Sequence, residues 1–185
     1  MATLKGVLER ELEPKLTLRQ ITQKQRLTEL EFFFRLRRLD PKRLAAVFSQ
    51  CEGLEEPFRT NLERLRFDPV EGFLHGFIDL FFESNGCYYL IDWKSNWLGN
   101  RAKDYDQHGM KRAMAEANYL LQSHLYVLAA DLLLSRRITN YSYERDFGGV
   151  FYVFLRGIVP GNIDFGVFRH RPSANSISAL RQLAA

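Results

Sequence analysis

The stretch GFIDLFFESNGCYYLIDWK, residues 76–94, decides the fold. Two apolar runs, GFLHGFIDLFFE at 72–83 and CYYLIDWK at 87–94, flank the tripeptide Ser84-Asn85-Gly86. Asn and Gly tolerate positive φ, which a tight turn between antiparallel strands requires. The pattern therefore predicts a β-hairpin.

Each predicted strand of this hairpin carries a carboxylate inside its apolar run, Asp79 in the first and Asp92 in the second. A charged group in such surroundings is costly unless it is paired or bound to a metal ion. The hairpin brings the two acids near each other, and a divalent cation relieves their repulsion. Asp92 and Lys94 are two residues apart, so both side chains leave the same face of the strand. These residues suit phosphodiester hydrolysis, in which a metal ion activates water and Lys94 orients that water or helps deprotonate it.

A salt bridge within the sheet explains the same residues without a metal ion. Asp92 and Lys94 can neutralise each other, with Asp79 paired elsewhere. The residues by themselves leave both interpretations open.

The residues before the hairpin predict a strand followed by a helix. In LTELEFFFRL, residues 27–36, apolar side chains recur at every second position, the spacing of a strand with one apolar face. Asp40 and Pro41 then provide an N-cap and a first helical residue, and helical spacing continues to about residue 49. A short helix is expected within residues 56–65.

The residues after the hairpin predict a long helix over 104–137, strongest from 113 to 134, because leucines recur at intervals of three or four. GGVFYVFLRG, residues 148–157, is apolar almost throughout, which suits a strand buried on both faces. A last strand can form at 163–169, and a closing helix is expected near 173–183 with Ser173 as its cap. This order predicts an α/β fold with a mixed central sheet flanked by helices.

Length, charge and cysteine content exclude several classes of protein. The chain has 185 residues, which suits a single domain, and a net charge of +4. Residues 1–50 hold 11 Lys and Arg against 6 Asp and Glu, whereas residues 51–185 hold 15 against 16. The sequence has no membrane-length apolar run, no secretory signal pattern and no P-loop motif. Cys51 and Cys87, 36 residues apart, are expected to be reduced thiols in a cytoplasmic protein.

The strings GFIDLFF, YYLIDWKSNWLG, YLLQSHLYVLAADLLL and YERDFGGVFYVFLRG resemble nuclease domains of the RecB type, which are members of the PD-(D/E)xK or restriction-endonuclease-like superfamily. The resemblance is strongest over residues 72–172. It implies one nuclease domain over residues 1–185, with a lead-in at 1–26, a core at 27–172 and a C-terminal helix at 173–185. The implied activity is Mg²⁺-dependent hydrolysis of DNA, with Mn²⁺ as a substitute.

The resemblance implies a role for each matching residue. Asp79 and Asp92 are the metal-binding acids, the backbone carbonyl of Trp93 faces the same ion, and Lys94 is the motif lysine. Gln122 and Tyr126 match a Q-x-x-x-Y motif, and their spacing sets both on one helix face. Glu29 matches the upstream acidic position of the family, and Glu31 is the alternative residue for that position. Tyr126 could instead be a core aromatic residue, and either glutamate a solvated strand residue.

The implied partners are DNA and helicase subunits or domains of a RecBCD-like complex, with no membrane partner. Two sets of basic residues are candidates for DNA contact: Arg101, Lys103, Lys111 and Arg112, and the front segment Lys24, Arg26, Arg35, Arg37, Arg38, Lys42 and Arg43. Either set could equally be a solvated face.

The family also has an upstream helix with a metal-binding histidine, and none of His75, His108, His124 and His170 lies in the matching context. We therefore expect a metal site with one ligand fewer. The alternative function is a catalytically impaired module that keeps the fold and binds DNA or docks a protein.

Overall fold

The secondary structure comes from a computed structural model that describes residues 4–51, 56, 58–159 and 161–184. The helices are α1 Leu4–Glu9, α2 Pro41–Ser49, α3 Phe58–Arg64, α4 Gln107–Glu116, α5 Tyr119–Arg137, α6 Tyr143–Asp146 and α7 Ala174–Arg181. The strands are β1 Glu11–Glu13, β2 Leu16–Thr17, β3 Arg26–Leu39, β4 Val70–Ser84, β5 Cys87–Lys94, β6 Phe147–Phe154 and β7 Val167–His170. Short 3₁₀ turns lie at Leu18–Gln20, Gln23–Gln25, Ala102–Tyr105 and Leu155–Gly157.

Five of the strands form one sheet in the order β3-β4-β5-β6-β7, and β1 pairs with β2 in a small separate ribbon. The order matches the predicted α/β architecture of a mixed sheet flanked by helices, and it is consistent with a restriction-endonuclease-like fold. Every residue of β6 is buried, as expected for a strand covered on both faces.

The predicted hairpin is confirmed. β4 and β5 pair antiparallel, with Ser84 opposite Cys87. The two turn residues, Asn85 and Gly86, have φ values of 53° and 81°. Positive φ at both central positions is the signature of a turn whose twist matches that of the flanking strands.

Contacts divide the described residues into two compact units. The first comprises residues up to 30, 78–114 and 148–170. Its core joins apolar residues of α1 and the first loops to one face of the strands, including Val7, Leu18, Phe82, Ile91 and Phe151. The single-domain organisation expected from the sequence stays a prediction.

The second unit comprises residues 31–77, 115–147 and those from 171 onward. Its core includes Phe48 of α2, Phe58 of α3 and His124 of α5, whose rings contact one another. Near the C-terminus, the backbone N–H of Arg37 in β3 donates to the carbonyl of Leu183 at 3.0 Å. That bond covers part of β3, which would otherwise present unpaired backbone groups at the sheet edge.

Both predicted helix caps are confirmed. The carboxylate of Asp40 accepts a hydrogen bond from the backbone N–H of Arg43, and the hydroxyl of Ser173 accepts one from that of Ser176. The strand predicted at 27–36 is β3, which extends to both sides of that range. The short helix predicted within 56–65 is α3, and residue 57 lies outside the described residues.

The predicted continuous helix over 104–137 is wrong. It is interrupted at Asn118, whose φ of 56° and ψ of 25° place it in the left-handed region between α4 and α5. Asn reaches this conformation at low cost because its short polar side chain tolerates it, so no Gly or Pro marks the break. The last strand is also shorter than expected, since β7 begins only at Val167.

Within the described part of the chain, no helix combines the length and apolar character needed to cross a bilayer.

Candidate active site

The two acids of the hairpin lie near enough for the charge of Asp79 to act on Asp92. The pairing of β4 with β5 ends at Leu80 opposite Ile91, and Asp79 and Asp92 are the next residue outward on each strand. The backbone N–H of Trp93 donates to Oδ2 of Asp79 at 2.8 Å. This hydrogen bond fixes the orientation of the Asp79 carboxylate at the end of the hairpin.

Asp92 and Lys94 form a buried ion pair. Nζ of Lys94 lies 2.5 Å from Oδ2 of Asp92. The side chain of Lys94 is only 9% exposed and that of Asp92 only 6% exposed. The ammonium also lies over the ring of Tyr152 in β6, 5.3 Å from its centroid. The ion pair of Asp92 with Lys94 that the sequence offered as an alternative is therefore present in the structure.

Burial raises the pKa of Asp92. The ammonium of Lys94 opposes this rise in pKa, and the nearby charge of Asp79 adds to it. Oδ2 of Asp92 is therefore compensated by Lys94, which contributes both a hydrogen bond and its charge.

Two carboxylates are a usable but minimal donor set for a metal ion. No group of three or more His, Cys, Asp or Glu side chains arranged for a metal occurs among the residues that the structure describes. Mg²⁺, however, commonly takes one or two protein carboxylates and completes its shell with water and substrate phosphate. Asp79 and Asp92 match this number of carboxylates, and each is already oriented by a protein group, the N–H of Trp93 and the ammonium of Lys94 respectively. The backbone carbonyl of Trp93 as a third donor stays a prediction.

The two upstream acids differ in their surroundings. Glu29 is exposed in β3 with a φ of 51°, a left-handed conformation that is unusual for a side chain other than Gly or Asn. Glu31 lies 2.8 Å from Nε2 of His75 through Oε1, and both side chains are largely exposed. Strained backbone of this kind is concentrated at functional sites, which favours Glu29 over Glu31 as the candidate.

Gln122 and Tyr126 are brought together on α5. Nε2 of Gln122 donates to the hydroxyl of Tyr126 at 3.0 Å, as their spacing of four allows. The rings of Tyr126 and Phe32 meet edge to face, with 5.7 Å between their centroids. Gln122 and Tyr126 line an open cavity of about 310 Å³ in the second unit. Tyr126 is half-buried, so it is neither a fully enclosed core residue nor a solvated one.

His124, on the same helix, belongs to the core of the second unit. It is 1% exposed, and its ring packs against Phe48 and Phe58. Burial lowers its pKa to about 4, although a hydrogen bond between Nδ1 and the carbonyl of Leu120 at 2.6 Å partly opposes that shift.

A cavity of about 630 Å³ adjoins Asp79 in the first unit. Its lining includes Trp93, Arg26 and two residues that the sequence analysis missed, Ser95 and Arg156. A signal for Arg156 was available, because it lies in the turn Leu155–Gly157 that follows the buried strand β6. Side chains at strand ends lie at a sheet edge, where sites form.

Several of the candidate basic residues are engaged within the protein. Arg101 pairs with Asp104 at 2.9 Å, and Arg35 pairs with Glu71 at 3.3 Å. Arg43 donates to the carbonyls of Arg38 and Gln182. Arg26 differs, because it lines the cavity beside Asp79. DNA contact by either basic set stays a prediction.

No protein-family model matches the chain. It is 38% identical over 176 residues to the RecBCD enzyme subunit RecB of Escherichia coli, a match that covers 94% of this chain and 14% of that protein. The subunit of the same name from Haemophilus influenzae is 46% identical over 64% of the chain, and that from Mycolicibacterium smegmatis 34% identical over 93%. The chain spans only 10% to 18% of the length of these three relatives. The chain is therefore a homologue of one segment of the RecBCD enzyme subunit RecB.

Proposed function

We propose that the chain is a Mg²⁺-dependent DNA nuclease of the RecB type, hydrolysing phosphodiester bonds in DNA end processing and recombinational repair. The observation that carries the proposal is the buried ion pair of Asp92 and Lys94, with Asp79 beside it, in a homologue of a RecB segment. A buried charged cluster at the end of two apolar strands has a large desolvation cost, which function rather than stability explains.

In this proposal Asp79 and Asp92 hold the metal ion. Mg²⁺, when bound, supplies positive charge for the phosphate and lowers the pKa of a water molecule. The N–H of Trp93 keeps the carboxylate of Asp79 oriented. The ammonium of Lys94 holds the carboxylate of Asp92 in place. The same ammonium can donate a hydrogen bond to the attacking water.

The other site residues take supporting roles. Gln122 and Tyr126 form a hydrogen-bonded polar pair suited to DNA contact, and Glu29 provides a further carboxylate. The relatives are named as a subunit of the RecBCD enzyme, so we include helicase subunits or domains of a RecBCD-like complex among the partners. A cytoplasmic location agrees with Cys51 and Cys87 as reduced thiols.

The test is a cleavage assay on linear and circular DNA with Mg²⁺, run beside Asp79→Asn and Lys94→Met. We expect each variant to lower the rate by about 10³-fold or more, and chelation to stop the wild-type reaction. Asp164→Asn, at an exposed acid of the same unit, is the matched control and should cleave normally. Cleavage that persists at the wild-type rate in both site variants would refute the assignment.

The pair Glu29→Gln and Glu31→Gln decides between the two upstream acids. If Glu29 acts in the reaction, only its variant lowers the rate, since Glu31 is engaged with His75. Equal loss in both variants, or loss in Glu31→Gln alone, contradicts the choice of Glu29.

A second candidate function is a non-catalytic module that binds DNA or docks a protein. The donor set favours it, because no group of three or more His, Cys, Asp or Glu side chains arranged for a metal occurs among the described residues. Calorimetry with Mg²⁺ and with Mn²⁺ separates the candidates. No heat of binding and no rise in melting temperature would support the module, whereas metal-dependent heat that Asp79→Asn abolishes would support the nuclease.

A further inference from the structure

The cavity beside Asp79 has the size and walls of a ligand pocket. Its volume of about 630 Å³ lies within the range of roughly 300–1,000 Å³ typical of small-molecule sites. Most of its wall is aliphatic, formed by Val7, Leu8, Leu18, Leu80 and Leu155. The side chain of Trp93, which is half-buried, adds a flat aromatic surface. Such walls suit a flat, largely apolar ring.

The cavity has few polar groups, and its two arginines favour a ligand that carries an anionic group next to that ring. Arg26 and Arg156 are the cationic members of the lining. Nε of Arg156 donates to the backbone carbonyl of Ser95 at 2.9 Å, which orients the guanidinium plane. Guanidinium Nη groups are strong donors to phosphate oxygens.

The cavity reaches one of the two acids, because Asp79 lies in its wall and the N–H of Trp93, another wall residue, donates to the Asp79 carboxylate. A ligand with a flat ring in the cavity therefore places a neighbouring phosphate beside Asp79. A nucleotide of a DNA strand has this combination of a ring and flanking phosphates.

We propose that this cavity is a nucleobase subsite of the nuclease. It takes one unpaired base next to the scissile phosphate, and Arg156 positions the phosphate on the other side of that base. The inference rests on the proposed nuclease function and adds its substrate subsite. A base within a duplex is stacked and paired, and would have to leave the stack to enter. The walls have a π-face and aliphatic surface, so the subsite accepts any base.

The experiment combines a pocket-filling variant with substrates that lack one base. Leu8→Trp puts bulk into the cavity, and Ile163→Trp adds the same side chain at a residue of this unit that is 67% exposed and lies outside the cavity lining. The substrates are single-stranded 12-nucleotide DNAs in which one abasic residue moves along the strand. KM and kcat are measured with Mg²⁺ for each pair.

For the wild type, we expect an abasic residue to raise KM about 10-fold at a single position, adjacent to the cleaved bond. Leu8→Trp should raise KM for intact DNA by a similar factor, with no further loss on that abasic substrate, because both changes remove one contact. Ile163→Trp should behave as wild type. Arg156→Gln should weaken binding several-fold and reduce its dependence on salt.

The proposal is overturned if no abasic position matters, or if the losses from Leu8→Trp and the abasic residue multiply. Leu8→Trp with unchanged kinetics on DNA would also overturn it. If Leu8→Trp does not fold, the abasic series on wild type and Arg156→Gln, at an exposed side chain, decide the matter. If the proposed nuclease function itself is wrong, the result is different, because the wild type then cleaves none of the substrates.

Discussion

The hairpin of β4 and β5 and the first half of α5 both hold polar side chains in apolar surroundings, but they do so in opposite ways. On the hairpin, Asp92 and Lys94 lie two residues apart on one strand face and form a buried ion pair. On α5, the ring of His124 has a backbone carbonyl four residues earlier as its hydrogen-bond partner, and burial lowers its pKa to about 4. The comparison teaches two ways to offset the cost of burying an ionisable group: an opposite charge beside it on the hairpin, and loss of the proton on α5.

The largest expected effect comes from breaking the hairpin pair on one side. Asp92→Ala leaves the buried ammonium of Lys94 without its carboxylate, which should lower the free energy of unfolding by about 3–5 kcal/mol. Urea denaturation followed by far-UV circular dichroism measures this change. The cost arises from the unpaired charge, so the double variant Asp92→Leu with Lys94→Met should recover most of it.

The matched control is the exposed pair of Arg35 and Glu71, whose side chains are 60% and 58% exposed. Arg35→Ala should cost at most about 1 kcal/mol, since water already solvates both groups. A similar loss of stability in Asp92→Ala and Arg35→Ala would mean that burial does not distinguish the two ion pairs.

The second effect tests the opposite strategy on α5. His124 is neutral when folded and has an ordinary pKa of 6.5 when unfolded, which falls to about 4 in the folded protein. The unfolded chain therefore binds the proton first as the pH falls, and stability is fully present above pH 6.5 and lost progressively toward pH 4. The loss should amount to about 3 kcal/mol.

Unfolding midpoints in urea at intervals between pH 7 and pH 4 measure this slope. His124→Phe should flatten the slope while His108→Gln, at an exposed histidine, should leave it unchanged. An unaltered pH dependence in His124→Phe would assign the proton uptake to other groups.

The smallest effect concerns the neutral pair on α5. Tyr126→Phe removes the hydroxyl that accepts from Gln122, and we expect a loss of about 1 kcal/mol in unfolding free energy. A double-mutant cycle with Gln122→Ala measures the coupling between the two side chains. If the coupling energy of Gln122 and Tyr126 is as large as the loss of unfolding free energy in Asp92→Ala, the charged pair and the neutral pair do not differ in strength.

The parts of the fold that the sequence predicts are those with local causes. Asn85 and Gly86 can form the turn by themselves, and Asp40 and Ser173 cap their own helices. The break at Asn118 was missed because a single Asn does not by itself end a helical pattern, and only the fold decides that it turns left-handed there.

The pattern of α5 shows a second limit. Leucines at 121, 125, 128 and 132 identify the helix, yet several of its most buried residues are polar, including Ser123, His124 and Asp131. Leu occurs around most of this helix, so its periodicity does not single out the buried face. For the same reason the burial of His124 could not be predicted.

For the candidate site, the sequence predicts the grouping of Asp79, Asp92 and Lys94 because strand alternation and one short turn determine it. The hydrogen bond from the N–H of Trp93 to Asp79 depends on backbone geometry. The hydrogen bond from Arg156 to the carbonyl of Ser95 depends on a segment more than 50 residues later in the chain. Residue spacing carries no information about either contact.

The two-residue turn at Asn85 and Gly86 has a consequence for how the protein folds. Asp79 and Asp92 are separated by thirteen residues, so closing the loop between them costs little chain entropy. Hairpins form within about 1–10 μs, much faster than pairings between distant segments. Tyr152, which lies beneath the ammonium of Lys94, arrives from far along the chain. We therefore expect the two acids to meet while the hairpin is still in water, and the burial of their neighbour Lys94 to follow as a later step of folding.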